Sequence, residues 1–393
     1  MIETKTVFSL STHKLMPEFV RCANACESVI CARVSPDQKA IIVQGVRASD
    51  PQIKTLSIGD GANDVPMIQK AHVGIGIYGQ EGLQAANAAD YAIARFRFLK
   101  RLLFVHGRWS ARRVGLLVSY MFYKNAILVL PQFFFAFVCL ASGQNFYLDY
   151  PLYQFYNLVF TSFPILFLGM LDQDVSAEAS LRYARIYSDG SLRTGSFFTT
   201  RIFWRWIFEG FYQSLILFCL LVGLISIGPL GVVTGEGHSS DIWYLGTVVN
   251  LCVCIVVTLR LLMENKSVNA IMFASYIGSA ALWLFFLWLW SETSMLPDRL
   301  GSTTSNAQAR GIWTILHYPT TWLATLVACV CCIVPSVFFE SSRAIFAPGA
   351  SDIARELELI NRREADKGRV HPADTPAQDE PRAEAGATLA TAK

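Results

Sequence analysis

Charge is what this chain has least of. Only 16% of its 393 residues are Asp, Glu, Lys or Arg, against roughly a quarter in soluble globular domains. That excludes an ordinary water-soluble fold for most of the chain, and the 53% apolar content points to a membrane. The positive excess is small, +3, and gives no footing for nucleic-acid binding. The amino terminus lacks a basic segment followed by a short apolar core, so no cleaved leader is expected. Cysteine is plentiful, but Cys139, Cys219, Cys252, Cys254, Cys329, Cys331 and Cys332 lie inside apolar runs and read as small helix- or lipid-facing side chains. Cys22, Cys26 and Cys31 have no fourth ligand nearby, so buried packing is expected there rather than zinc.

Residues 1–100 read differently, as α/β. The pivot is Ile58-Gly-Asp-Gly-Ala-Asn-Asp64, between a β-type run (Lys54 to Ile58) and a helix-like run (Val65 to Lys70). It puts two carboxylates and a glycine-permitted turn at the carboxyl end of a strand, where ligands sit in open α/β sheets. Asp60 and Asp64 offer the hard oxygens that Mg²⁺ prefers. The glycines let backbone approach an anion closely.

Upstream, Leu15, Phe19, Cys22 and Cys26 recur at helical spacing, and Val29 to Val34 is a β-type run. Ser35-Pro-Asp-Gln-Lys39 then carries an N-cap, a first-position proline and a capping-box glutamine. Such a helix start offers donors to a phosphate, with Lys39 as a point charge. Downstream, His72 to Tyr78 and Tyr91 to Ala94 read as strands around a small-residue helix, Glu81 to Ala89. The alternation implies a mostly parallel sheet.

Several of these stretches together resemble a known family. Cys31-Ala-Arg-Val-Ser-Pro-Asp-Gln-Lys39, Thr55-Leu-Ser-Ile-Gly-Asp-Gly-Ala-Asn-Asp64 and Gly74-Ile-Gly-Ile-Tyr-Gly-Gln-Glu-Gly-Leu-Gln-Ala85 look like the phosphorylation domain of P-type ATPases. His106-Gly-Arg-Trp109 and Phe122-Tyr-Lys-Asn125 resemble the type-IV branch, the phospholipid flippases. The resemblance implies a partial haloacid-dehalogenase-like phosphorylation domain followed by a six-helix transmembrane bundle, with ATP and Mg²⁺ as cofactors. It implies that Asp60 and Asp64 bind Mg²⁺, that Lys39 and Asp60 serve catalysis, and that Arg33, Lys39, Asn63 and Asp64 surround ATP. Those roles fit phosphoryl transfer, in which protein groups mainly position and neutralise. The family's Asp-Lys-Thr-Gly phosphorylation motif and Asp-Gly-Glu-Thr motif are both missing from the sequence, as are the nucleotide-binding domain and the first four spans. The chain resembles a C-terminal portion that lacks the phosphorylated aspartate and is not expected to hydrolyse ATP alone.

From Tyr91 to Arg113 there is no acid but seven Lys or Arg. An apolar run follows at once, so residues 101–114 read as a basic stalk at a cytosolic membrane face. Six apolar stretches are long enough to cross a bilayer, near 115–141, 150–171, 206–228, 243–262, 270–290 and 317–339. Pro131, Pro164 and Pro335 fall inside them, where bundled neighbours tolerate proline. Trp204, Trp206, Trp243, Trp290 and Trp322 fall near span ends, as an interfacial belt would. Arg182, Arg185, Arg193, Arg201 and Arg205 follow the second span, and Lys266 follows the fourth, with Arg260 placed to snorkel. The count puts both termini in the cytosol.

Lys124 lies deep in the first span, where a charge costs about 3 kcal/mol or more. Asn125 adjoins it; Asn157 is a candidate partner, and Thr161 and Ser162 would extend a polar path. Glu209 reads as interfacial. The flippase resemblance implies that this lysine couples lipid movement to dephosphorylation. Thr161 stands where an ion pump of the wider superfamily typically has Asp, and Asp172 and Asp174 come only at the span's end. A bare cation would find too few hard oxygens, whereas a phospholipid headgroup needs hydrogen bonds and one positive charge. Two rival readings are a non-catalytic membrane subunit with a vestigial Mg²⁺ site and a cation-pump fragment.

Residues 352–364 are expected to form an amphipathic helix within a cytosolic tail, 341–393, that is otherwise mostly disordered. The resemblance further implies a two-span glycosylated accessory subunit on the outer loops (Gln144 to Tyr150, Gly231 to Asp241, Ser291 to His317), and residence in the plasma membrane or a Golgi or endosomal membrane.

Overall fold

The computed structural model describes residues 16–79, 82–145, 147, 150–188, 197–223, 242–267, 269–292 and 319–366. The chain divides into two compact units, Met1–His106 and Gly107–Lys393.

The first unit contains α1 (Met16–Asn24), α2 (Pro36–Ser49), β1 (Leu56–Gly59), α3 (Val65–Lys70), β2 (Val73–Ile77), α4 (Gln84–Ala88) and β3 (Tyr91–Ile93). The strands run parallel in the order β1-β2-β3, with Leu56 opposite Val73 and Ile75 opposite Tyr91. Each parallel step is made by a helical crossover, as parallel pairing requires. β2 reads Val-Gly-Ile-Gly-Ile because α4 lies directly on it: a Cβ on Gly76 would come within 2.5 Å of the Ala86 Cα. The α2 capping box forms, with the Ser35 N–H donating to Gln38 Oε1 at 3.0 Å. At the start of β1, the Thr55 N–H donates to His72 Nδ1 at 3.1 Å. Loss of hydration, then the nearby Arg47 and Lys54 charges, hold the His72 pKa below its usual value.

Two expectations fail here. Val29 to Val34 does not form a strand of this sheet; Val29 and Ile30 are exposed and Arg33 takes a left-handed φ of 54°. Cys22 and Cys26 are exposed rather than packed, because α1 turns Val20 inward instead.

The second unit is helical. Its elements are α5 (Arg108–Val138), α6 (Tyr150–Phe155), a π-type turn (Tyr156–Phe160), α7 (Ser162–Leu171), α8 (Ala177–Arg182), α9 (Arg185–Ser188), α10 (Thr200–Leu221), α11 (Ile242–Glu264), α12 (Ala270–Glu292), α13 (Pro319–Phe346) and α14 (Ala350–Asp366). Among the described residues, five helices are long and apolar enough to cross a membrane, not six. The expected third span corresponds to α10, and its last part, 224–228, lies outside the described residues. Its first half carries Arg201, Arg205 and Glu209. α11 is the central column: 78% of its most apolar stretch is buried, against 28–33% in the other four.

Trp204 and Trp322 are well exposed, as a belt would be, but Trp206 is buried against Tyr120 and Tyr123. The Trp243 and Trp290 side chains lie outside the described residues, as do the Gly231–Asp241 loop, nearly all of Ser291–His317, part of Gln144–Tyr150, and the tail beyond 366. The amphipathic helix expected at 352–364 is α14; its Ala354 packs with Val175, Ala179 and Ile186.

Candidate functional site

Two groups of sequence-selected residues come together, one in each unit. In the first, β1 ends at Gly59 and the chain turns through Asp60 and Gly61 into a 3₁₀ turn, Ala62–Asp64. Gly59 is obligatory, since a Cβ there would lie 2.2 Å from the Asp64 Cβ. The turn folds Asp64 back so that its Oδ2 accepts the Asp60 N–H at 3.3 Å. The Lys39 Nζ, on the first turn of α2, donates to Asp64 Oδ1 at 2.8 Å. Lys39, Asp60 and Asp64 thus converge at the carboxyl end of a parallel strand. The Asp60 and Asn63 side chains are exposed at this turn; Arg33, before α2, is exposed too. Among the described residues no group of three or more His, Cys, Asp or Glu forms a cage.

In the second, Lys124 is 2% exposed at mid-helix in α5. Its Nζ donates to the Thr161 hydroxyl at 2.9 Å and lies 5.9 Å from the Tyr156 ring centre. The Tyr156 hydroxyl in turn donates to the Lys124 carbonyl at 2.9 Å. Asn157 is not the partner: it is exposed, and its carbonyl accepts from the Ser162 hydroxyl at 3.0 Å. Asn125 is also exposed. The reason is the π-type turn, which shifts the helical face so that Thr161 rather than Asn157 meets α5.

Charges read as peripheral are buried or partly buried, and paired. Arg260 does not snorkel. It is 1% exposed, donates from Nε to Glu209 Oε1 at 2.7 Å and from Nη1 to Glu264 Oε1 at 2.8 Å, and lies 4.4 Å over the Trp206 ring. Glu209 is not merely interfacial, since it also accepts from the Ser336 hydroxyl at 2.5 Å and links α10, α11 and α13. Arg108 forms a two-pronged pair with Asp174 at 2.8 and 2.6 Å. Arg112 pairs with Asp172, whose Oδ1 also accepts the Lys266 and Ser267 N–H groups at 2.9 and 3.1 Å. The signal available in sequence was one of number: basic residues after Tyr91 and two acids at the end of the second span, without a way to pair them.

Several long apolar helices in one chain define a multi-pass integral-membrane protein. Residues 86–349 match the family described as phospholipid-translocating P-type ATPase, C-terminal. The chain belongs to that family and carries its C-terminal domain. It is 36% identical over 351 residues to human phospholipid-transporting ATPase ID, covering 88% of this chain and 28% of that protein. It is 35% identical over 362 residues to the probable phospholipid-transporting ATPase 4 of Arabidopsis thaliana (92% and 29%). With phospholipid-transporting ATPase DRS2 of Saccharomyces cerevisiae it shares 36% over 344 residues (86% and 24%). The chain therefore spans less than a third of the length of these relatives. The Asp-Lys-Thr-Gly motif is absent from the sequence.

Proposed function

We propose that this chain is the C-terminal portion of an ATP-driven flippase that moves phospholipid from the exoplasmic to the cytosolic leaflet through an aspartyl-phosphate cycle. Residues 1–100 would complete a haloacid-dehalogenase-like phosphorylation domain, 101–114 form its stalk, and 115–340 make six spans with both termini cytosolic. The observation that carries the reading is Lys124, buried in the bundle against a hydroxyl rather than a carboxylate. A hydroxyl partner does not neutralise the ammonium, which leaves it to be met by a phosphate-bearing headgroup, whereas a cation site needs acidic oxygens. Lys124 and Thr161 would line the lipid path. Asn125 and Asn157, both exposed, would lie on the same path from the outer faces of their helices.

The donor set at Asp60 and Asp64 fits Mg²⁺, which uses one or two carboxylates and takes its remaining oxygens from phosphate and water. When bound, the ion would offset charge on the transferring phosphoryl group. Lys39 fixes Asp64 and stands beside the same turn as a point charge. Arg33 and Asn63, both exposed, would contact ATP. A two-span glycosylated subunit on the outer loops, and a plasma-membrane, Golgi or endosomal location, complete the proposal.

The test is transport by the intact enzyme in vesicles, using phospholipids labelled on the acyl chain. ATP-dependent loss of label from the exoplasmic leaflet, abolished by Asp60→Asn, is expected. ATP turnover stimulated by a metal ion and indifferent to every phospholipid tried would overturn the reading.

A further inference from the structure

The break in the second span has a specific chemical origin. In an α-helix the Phe160 carbonyl would accept from the N–H of residue 164, but residue 164 is proline and has none. The Phe160 side chain is fully buried, and a carbonyl left unpaired in an apolar bundle is costly. The missing donor comes from another helix: the buried Ser279 hydroxyl, on α12, donates to the Phe160 carbonyl. One turn earlier the Tyr156 carbonyl takes both the Thr161 N–H at 3.1 Å and the Thr161 hydroxyl at 2.8 Å, which defines the π-type turn. The Thr161 hydroxyl has a single proton, already given to Tyr156, so toward Lys124 it acts only as acceptor.

We propose that Ser279 is a positioning residue for Lys124: by replacing the donor that Pro164 lacks, it holds the π-type turn in the register that presents the Thr161 oxygen to the ammonium. Without that hydroxyl, the segment is freer to rewind, and rewinding by one residue turns Thr161 away from α5. Single π turns inside α-helices recur at functional sites for this reason, as they hold a side chain off the regular helical face. The inference rests on the assignment of Lys124 to the lipid path.

The consequence is a fractional loss of the lipid-competent conformer. Apparent lipid affinity falls by that fraction, while turnover at saturating lipid is preserved. The experiment uses the intact enzyme in vesicles and measures both the phospholipid concentration giving half-maximal ATPase stimulation and the saturating rate. Ser279→Ala is expected to raise the half-saturating concentration roughly three- to tenfold, the scale of one hydrogen bond, with the saturating rate held within about twofold. Ser279→Thr should restore the response, and Ser279→Val, which matches threonine in shape but has no hydroxyl, should not; this pair serves also if the alanine variant folds poorly. In a Thr161→Val background, Ser279→Ala should add little, because the link is already cut. An unchanged half-saturation in Ser279→Ala, or the same fold-change in both backgrounds, would overturn the role of Ser279. Lys124→Ala is the control for the underlying assignment: full lipid stimulation in that variant would remove the assignment itself, whereas lost stimulation with an indifferent Ser279→Ala would remove only the positioning role.

Discussion

The Lys39–Asp64 pair of the α/β unit and the core pairs of the helical unit hold charge in opposite ways, although the helical unit also carries open pairs such as Arg343–Glu340. In the α/β unit the Lys39–Asp64 pair is open to water, its side chains 35% and 15% exposed. Asp60 beside it is exposed too. In the helical unit Arg108 and Asp174 are 2% and 7% exposed, and Arg260 is deeper still. An open pair contributes about 0–1 kcal/mol and exchanges partners readily, which suits a site that must admit phosphate. A buried pair stabilises little relative to apolar packing, but losing one partner strands the other charge. Lys124 belongs to neither class, because it is as buried as Arg108 yet held by a hydroxyl. The contrast separates charges that fix the bundle from one that remains available within it.

The largest way to break this contrast is Asp174→Ala. It strands Arg108, and the helical unit should lose about 3–5 kcal/mol, seen as a large drop in the thermal midpoint in detergent. A negligible shift would mean that water reaches Arg108. Next comes Gly76→Ala, where the added Cβ would meet the Ala86 backbone at 2.5 Å. Overpacking should cost about 1–3 kcal/mol and be confined to the α/β unit by hydrogen exchange. Smaller again is Asp64→Ala, expected to change stability by about 1 kcal/mol or less while abolishing ATP turnover of the intact enzyme. A stability loss matching that of Asp174→Ala would erase the distinction between the units.

The smallest effect is on His72. Its folded pKa is lowered, so the unfolded chain binds more protons just below the ordinary histidine value. The contribution is therefore complete above that value and fades as pH falls through the folded pKa. Protonation also removes the Nδ1 acceptor for the Thr55 N–H. Faster exchange of the Thr55 amide on acidification, beyond the intrinsic pH trend and absent in His72→Gln, is the expected result.

Much of this was legible in sequence because it is local. The turn around Asp60, the Ser35 capping box and the three parallel strands follow from neighbouring residues, and Lys124 declares itself by depth in an apolar run. What sequence hid was pairing across distance. Arg108 with Asp174 and Arg260 with Glu209 are separated by 66 and 51 positions. Counting charges near span ends therefore assigned Arg260 and Glu209 to the interface. The displacement of Asn157 by Thr161 was hidden for a different reason: a π-type turn changes helical phase by a residue, and apolar periodicity does not report it. Val29 to Val34 misled because β-branched composition is a weak guide to strand pairing, and among the described residues only Cys31 of that run takes part in a β-bridge.

The most direct measurement is the decay of the phosphorylated intermediate in the intact enzyme, with and without phospholipid, for the native sequence and Lys124→Ala. The account predicts that the variant still takes up phosphate from ATP but that added phospholipid no longer accelerates its loss. Undiminished acceleration by phospholipid in Lys124→Ala would contradict it.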